Sequence, residues 1–302
     1  MKKAGHRYFH VDVFAESKYA GNSLAVVVPS VPIPAARMQA IAREFNFPET
    51  TFITSEQPKR GGYPVRIFTP AREVPFAGHP ALGTAWVIRR HLARRAKPPQ
   101  EINLNLKVGR IPVRFPDGDD GVSWMTQKPP EFGPVHSRAA AAALLGLQPE
   151  DLDPRFPAQT LSTGMPVLLI PLRNLGAVKR AREDSQAAQD YFGNRPDGTT
   201  ARLPLFAFSP ETYAPANRIN CRMFAAALGV PEDPATGSAN GCLAGYLSRH
   251  RFFGSDAVDI TVEQGYEMGR KAKLHIRAQP GVKGISVEVG GRVIAVAEGM
   301  LV

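Results

Sequence analysis

The sequence predicts a strand-rich α+β protein of two similar halves, each a sheet wrapped around one apolar helix. A repeat is the first sign of it. Arg66, Phe68, Val74 and Pro75 of residues 66–85 (RIFTPAREVPFAGHPALGTA) recur 156 positions later as Arg222, Phe224, Val230 and Pro231. Such self-similarity points to a duplicated unit. Each copy then runs through a glycine loop, at 75–78 or 234–238, into a helix apolar nearly all round, and a helix of that kind is buried. Short β-branched and aromatic runs separated by turn residues surround both copies. A fainter echo precedes each copy, in the glycine-led apolar runs GNSLAVVVP (21–29) and GMPVLLIP (164–171).

Taken in order, residues 8–14 alternate as a strand, Gly21-Asn22 make a turn, and 23–28 form the next strand. Residues 34–45 are an amphipathic helix with Met38, Ile41, Ala42 and Phe45 on one face, ending before Pro48. Strands follow at 50–54 and 65–68. A turn at Thr69-Pro70 and the 75–78 loop lead to the first apolar helix, which starts near His79-Pro80. Proline loses no hydrogen bond in a first helical turn. Strands near 102–106, 110–115 and 121–125 complete the first half, and the Pro- and Gly-rich stretch 128–134 (KPPEFGP) reads as an interdomain linker. In the second half the sequence predicts helices at 137–145 and 177–191. It predicts strands near 158–161, 167–172, 203–208, 217–224, 258–262 and 271–276, then a hairpin, 285–289 and 292–297, turning on Gly290-Gly291.

Composition narrows the function. The chain has 302 residues, 43% hydrophobic and 21% charged, which is ordinary for a globular protein. No run approaches the ~18–20 apolar residues a membrane span needs, so no membrane partner is expected. The start, MKKAGHRYFHVDVFA, breaks its apolar part at His10 and Asp12 and has no signal-peptide core. Cys221 and Cys242 show neither disulfide nor metal spacing, which points to the cytoplasm. Cys242 falls inside its helix, as a structural thiol does. The net charge of +10 would suit nucleic acid, but the cations are scattered apart from Arg89-Arg90 and Arg94-Arg95-Lys97. That cluster is expected at the end of the first apolar helix, solvated and complementing its dipole, so no nucleic-acid partner is expected.

Helix starts carry free N–H groups and the positive end of the dipole, so each glycine loop suits a carboxylate. Two such starts facing one cleft would hold one small carboxylic acid. Glu49, at a strand entrance beside the end of a helix, is the candidate acid/base group, although a surface glutamate at a strand edge has the same local pattern. His79 and Asp233 stand at the two helix starts. His79 is either a proton-handling imidazole or a packed side chain, and Asp233 either a site acid or an N-terminal cap. Gly78, Gly237 and Ser238 would supply backbone donors, and Asn22 is a turn residue or a substrate contact. Walker, dinucleotide-binding, zinc-protease and nucleophile-elbow motifs are all missing, so no cofactor and no metal is expected.

DVFAESKYAGNSLAVV, EFNFPETTFI, RIFTPAREVPFAGHPALGTA and EDPATGSANGCLAGYL occur in that order from Asp12 to near His250, and GGRVIAVAEGML ends the chain. Together they resemble the PhzF-like phenazine-biosynthesis family. The resemblance implies the diaminopimelate epimerase-like fold: two pseudo-symmetric halves, each a barrel-like, mostly antiparallel sheet around a central helix. The halves are then residues 1–128, completed by a strand at about 290–302, and 129–289. It also implies a homodimer and a cofactor-free isomerase acting on trans-2,3-dihydro-3-hydroxyanthranilate. Glu49, His79 and Asp233 take the family's catalytic places, and Asn22, Gly78, Gly237 and Ser238 its substrate-binding ones. Related epimerases carry a cysteine at each helix start. Here Ala77-Gly78-His79 and Ala235-Thr236-Gly237 stand instead, which argues against two-thiol racemisation. Pro48 also departs from the small polar residue common at its place. An acid/base epimerase using Glu49 and Asp233, and a carboxylate binder without chemistry, are the alternatives.

Overall fold

A computed structural model describes residues 5–93, 98–118, 121–193, 201–282 and 284–302. Arg94, Arg95 and Lys97 of the expected basic cluster lie outside the described residues. The chain divides into two compact units, Met1–Thr126 with Gly290–Val302, and Gln127–Val289.

The first unit begins with β1 (His6–Val13), β2 (Asn22–Val28), α1 (Ala35–Phe45), β3 (Glu49–Ile53), β4 (Tyr63–Phe68) and β5 (Glu73–Val74). After α2 (Gly78–Val87) come β6 (Glu101–Leu106), β7 (Gly109–Arg114) and β8 (Ser123–Thr126). The second unit holds β9 (Glu131–His136), α3 (Arg138–Leu144), β10 (Ala158–Ser162), β11 (Pro166–Pro171), α4 (Leu175–Arg180) and α5 (Ser185–Phe192). It continues through β12 (Leu205–Ser209), β13 (Ile219–Phe224), β14 (Glu232–Asp233), α6 (Gly237–Arg249), β15 (Val258–Gln264), β16 (Ala272–Gly281) and β17 (Gly284–Gly291), whose last two residues belong to the first unit. β18 (Val293–Leu301) rejoins the first unit, pairing antiparallel with β1.

The two units share one strand plan. β1–β2 is antiparallel, β2–β3 parallel, β3–β4 and β4–β5 antiparallel, β4–β6 parallel and β6–β7 antiparallel. The second unit repeats that series as β10–β11, β11–β12, β12–β13, β13–β14, β13–β15 and β15–β16. Each sheet wraps its helix. All ten residues of α2 are buried, as are Gly237–Ser248 of α6. Glycines let the walls approach α6: a Cβ on Gly241 would lie 1.9 Å from Gln127 Oε1, and one on Gly245 2.5 Å from Pro130 Cγ. α1 packs Met38 and Ala42 into a cluster with Val27, Phe52 and Phe68. It stops at Asn46, whose left-handed backbone (φ 52°) returns its N–H to Ala42 O, so the stop precedes any effect of Pro48.

The repeat is physical as well as sequential. Arg66 Nε and Nη2 donate to Glu73 Oε1 and Oε2 at 2.8 and 2.7 Å, and the guanidinium lies over Phe68. Arg222 does the same to Glu232 at 2.8 and 2.8 Å, over Phe224. The strand register corrects the expected alignment, however. Val74 faces Ile67 just as Asp233 faces Met223. Val74 and Pro75 therefore correspond to Asp233 and Pro234, not to Val230 and Pro231. A 3-10 turn at Ala226–Leu228 lengthens the second connection and slips the sequence match by three residues.

Other expectations change for similar reasons. Residues 131–134 of the supposed linker belong to β9, which pairs with β10. The helix expected at 177–191 is two helices, because Asn174 caps α4 and Asp184, accepting from the Gln186 and Ala187 N–H groups, starts α5 afresh. Gly290 and Gly291 make no hairpin turn. Neither has a positive φ; they are small because a Cβ would press on Trp124 and Phe14 respectively. Arg89, expected in solvent, is 5% exposed, donates to Pro99 O and stacks on Phe115. It lies in a π-helical turn (Ile88–Leu92) that widens the end of α2.

Gly265, just after β15, has φ +75°, and a Cβ there would meet Arg270 O at 2.4 Å and Pro234 O at 2.6 Å. Gly265→Ala is expected to destabilise by about 1–3 kcal/mol or more, visible as a melting point several degrees lower. An unchanged melting point would show that the backbone there yields easily.

Candidate active site

In the first unit, β3 opens with Glu49, paired beside Leu24 of β2. α2 opens with Gly78 and His79. Thr51 and Thr84, hydroxyl to hydroxyl at 2.7 Å, tie the strand to the helix. This brings His79 Nε2 to 3.3 Å from Glu49 Oε2. The His79 ring also hydrogen-bonds the Ser23 backbone, next to Asn22. Asn22 is fully buried at the start of β2, and the turn before it requires Gly21 (φ +60°), since a Cβ would sit 2.3 Å from Val13 O. The first unit therefore groups Asn22, Glu49, Gly78 and His79. Glu49 is no surface glutamate: its side chain is 18% exposed and faces a buried ring.

Electrostatics define the pair. Burial drives the His79 pKa down to about 3, against a smaller upward pull from the Ser23 backbone. At neutral pH the imidazole is uncharged. The neutral ring places no positive charge beside the Glu49 carboxyl. The folded pKa lies below the unfolded value of 6.5, so His79 contributes stability that is complete above about pH 6.5 and is lost as pH falls towards 3. Two results are expected. The His79 ring protons show no titration between pH 8 and 5 in NMR spectra. His79→Phe flattens the loss of melting temperature between pH 7 and pH 4. A midpoint near 6.5 would contradict the burial argument.

In the second unit, β14 presents Asp233 and the following loop leads to Thr236, Gly237 and Ser238. Asp233 is not the helix cap. The N-cap residue of α6 is Thr236, whose hydroxyl donates to Asp233 Oδ2 instead of capping. Gln127 Nε2 holds Gly237 O at 2.9 Å, and Thr163 donates to Gln127 Oε1 at 2.7 Å. Neither α2 nor α6 has a side-chain cap or an acidic residue in its first turn, so the positive end of each dipole is not neutralised by a first-turn acid. Gln127 and Thr163 carry no motif signal in the sequence. Thr236 does, by lying within EDPATGSA.

Cys221 and Cys242 are free and buried, and burial raises both thiols, Cys242 to about 11. Neither is a thiolate at neutral pH. Among the described residues, no group of three or more His, Cys, Asp or Glu is arranged to hold a metal ion, and no helix is long and apolar enough to cross a membrane.

The model of the family described as phenazine biosynthesis-like protein (PhzC-PhzF) matches residues 11–299. The chain belongs to that family. A trans-2,3-dihydro-3-hydroxyanthranilate isomerase from Pseudomonas aeruginosa is 35% identical over 97% of this chain and 98% of its own. A PhzF-family phenazine biosynthesis protein from Bacillus anthracis superposes with TM-score 0.86 at 25% identity, covering 99% of each chain. A probable proline racemase from Agrobacterium radiobacter shares the fold at TM-score 0.61 and 11% identity, over 98% and 93% of the two chains. This PhzC-PhzF protein is an isomerase with a diaminopimelate epimerase-like α+β fold.

Proposed function

We propose that the protein is a cofactor-independent isomerase that moves a proton on a small carboxylic acid, with trans-2,3-dihydro-3-hydroxyanthranilate as the first candidate substrate. The observation that carries this reading is the Glu49 carboxyl set 3.3 Å from a buried, uncharged His79 at an uncapped helix start. Glu49 takes a proton from one substrate carbon and returns it to another, and His79 steadies the carboxyl as its charge changes. Gly78, at the uncapped start of α2, offers a backbone N–H to the substrate carboxylate and Asn22 orients its polar groups; Gly237, Ser238 and Asp233 stand at the equivalent helix start of the second unit. Preorganised donors of this kind contribute about 3–4 kcal/mol each where they meet developing charge.

The relatives named as isomerases of that substrate support the assignment of class and candidate. Thiol-based epimerisation is disfavoured, because both cysteines lie inside the second unit as un-ionised thiols. A pure binding protein would have no use for the Glu49–His79 pair. The resemblance further supports a homodimer, which light scattering at known concentration checks. The direct test is incubation with the candidate substrate in heavy water. A change in absorbance with one solvent deuteron in the product is expected; unchanged absorbance without deuterium removes this substrate.

A further inference from the structure

Gln264 ends β15, beside Cys221 of β13, and is fully buried. Its amide is spent entirely on the segment that presents Asp233. Oε1 accepts from Thr236 N and from Asn240 Nδ2, each at 3.0 Å. Nε2 donates to Asp233 O at 2.8 Å and to Thr236 Oγ1 at 3.1 Å. The backbone fixes which end of the amide is which. Thr236 N–H can only donate, so it must meet the amide oxygen; the Asp233 carbonyl can only accept, so it must meet the amide nitrogen. Thr236 Oγ1 is therefore an acceptor towards Gln264. Its single proton is left to point at Asp233 Oδ2, with which it makes a short contact.

We propose that Gln264 and Thr236 form a one-way donor relay that holds Asp233 as an ionised hydrogen-bond acceptor, making both of them positioning residues for the reaction. The twin unit shows that the fold does not need this relay. Strand register places Leu106 where Gln264 stands and Val74 where Asp233 stands, and helix-start position places Ala77 where Thr236 stands. The first unit closes the same strand plan with three apolar residues. The charged neighbours along these strands have partners of their own: Glu232 pairs with Arg222, and Glu263 accepts from Tyr213 N, Ala214 N, Asn217 Nδ2 and Asn220 Nδ2.

The inference rests on Asp233 being part of the site, and its test does not need the substrate to be known. Protein labelled with carbon-13 at aspartate carboxyls, with Asp233 assigned by D233N, is titrated by NMR. Thr236→Val removes the donated proton at nearly constant shape, so the Asp233 midpoint is expected to move to higher pH. Gln264→Leu should move it the same way by freeing the hydroxyl, and Thr236→Ser should return it to the wild-type value. An Asp233 midpoint in Thr236→Val equal to that of the wild type overturns the relay, whether or not Gln264→Leu folds. Where the candidate substrate is turned over, Thr236→Val should also lower kcat about tenfold at similar KM. If wild-type protein leaves that substrate untouched while the titration shifts as expected, the substrate assignment fails and the relay stands.

Discussion

Glu49→Gln is expected to abolish turnover and to spare ligand binding. The amide keeps the size and polarity of the carboxyl beside His79, but it cannot accept a proton from carbon. General acid–base groups contribute about 10²–10⁴-fold, and a residue that both removes and returns the proton stands at the upper end of that range. Carboxylate affinity should change little, because the proposed donor at Gly78 belongs to the backbone. Two measurements decide it. Deuterium uptake into product from heavy water should vanish in Glu49→Gln, while calorimetric binding of a substrate analogue persists. Undiminished turnover in this variant would remove Glu49 from the chemistry.

Glu232→Ala should be among the most destabilising single substitutions in the molecule. The Arg222 side chain is 4% exposed, and its Nη1 also reaches Val178 O and Ala181 O, at the end of α4. Removing the carboxylate strands a buried guanidinium, which costs about 3–5 kcal/mol. The twin substitution Glu73→Ala provides the control. Arg66 is 32% exposed and water can take up its charge, as it can that of Lys107, the second partner of Glu73 at 2.7 Å, so the loss should be smaller than that of Glu232. Chemical denaturation of the two variants side by side reads the difference. Equal losses would mean that burial of the guanidinium does not set the cost.

The two-helix plan was legible in the sequence because its signals are local. A glycine loop before an apolar helix, and an apolar stripe at Met38, Ile41, Ala42 and Phe45, are visible within a dozen residues. What escaped was set by partners far along the chain. The three-residue slip between Val74-Pro75 and Val230-Pro231 is visible only from which residues face Ile67 and Met223. Burial of Arg89 depends on Pro99 and Phe115, and β9 exists because β10 offers it an edge. Candidate site residues divide in the same way. Glu49, His79 and Asp233 lie in short motifs, whereas Gln264 sits in an unremarkable VEQG run and reaches Asp233 only through the fold. Glu49 has one further mark that the sequence hid. Strand register places Leu205 where Thr50 stands, and so Pro204 where Glu49 stands, so the carboxylate is no requirement of the repeated architecture.

The pairing of β18 with β1 has a consequence for how the molecule is made. During translation the whole of Gln127–Val289 emerges before Val293–Leu301 does. The later-made unit can therefore finish first, reversing the usual order in which amino-terminal domains fold ahead of their successors. Until that closing segment leaves the ribosome, the nascent amino-terminal sheet keeps a bare edge along His6–Val13, and such an edge invites strands from other chains.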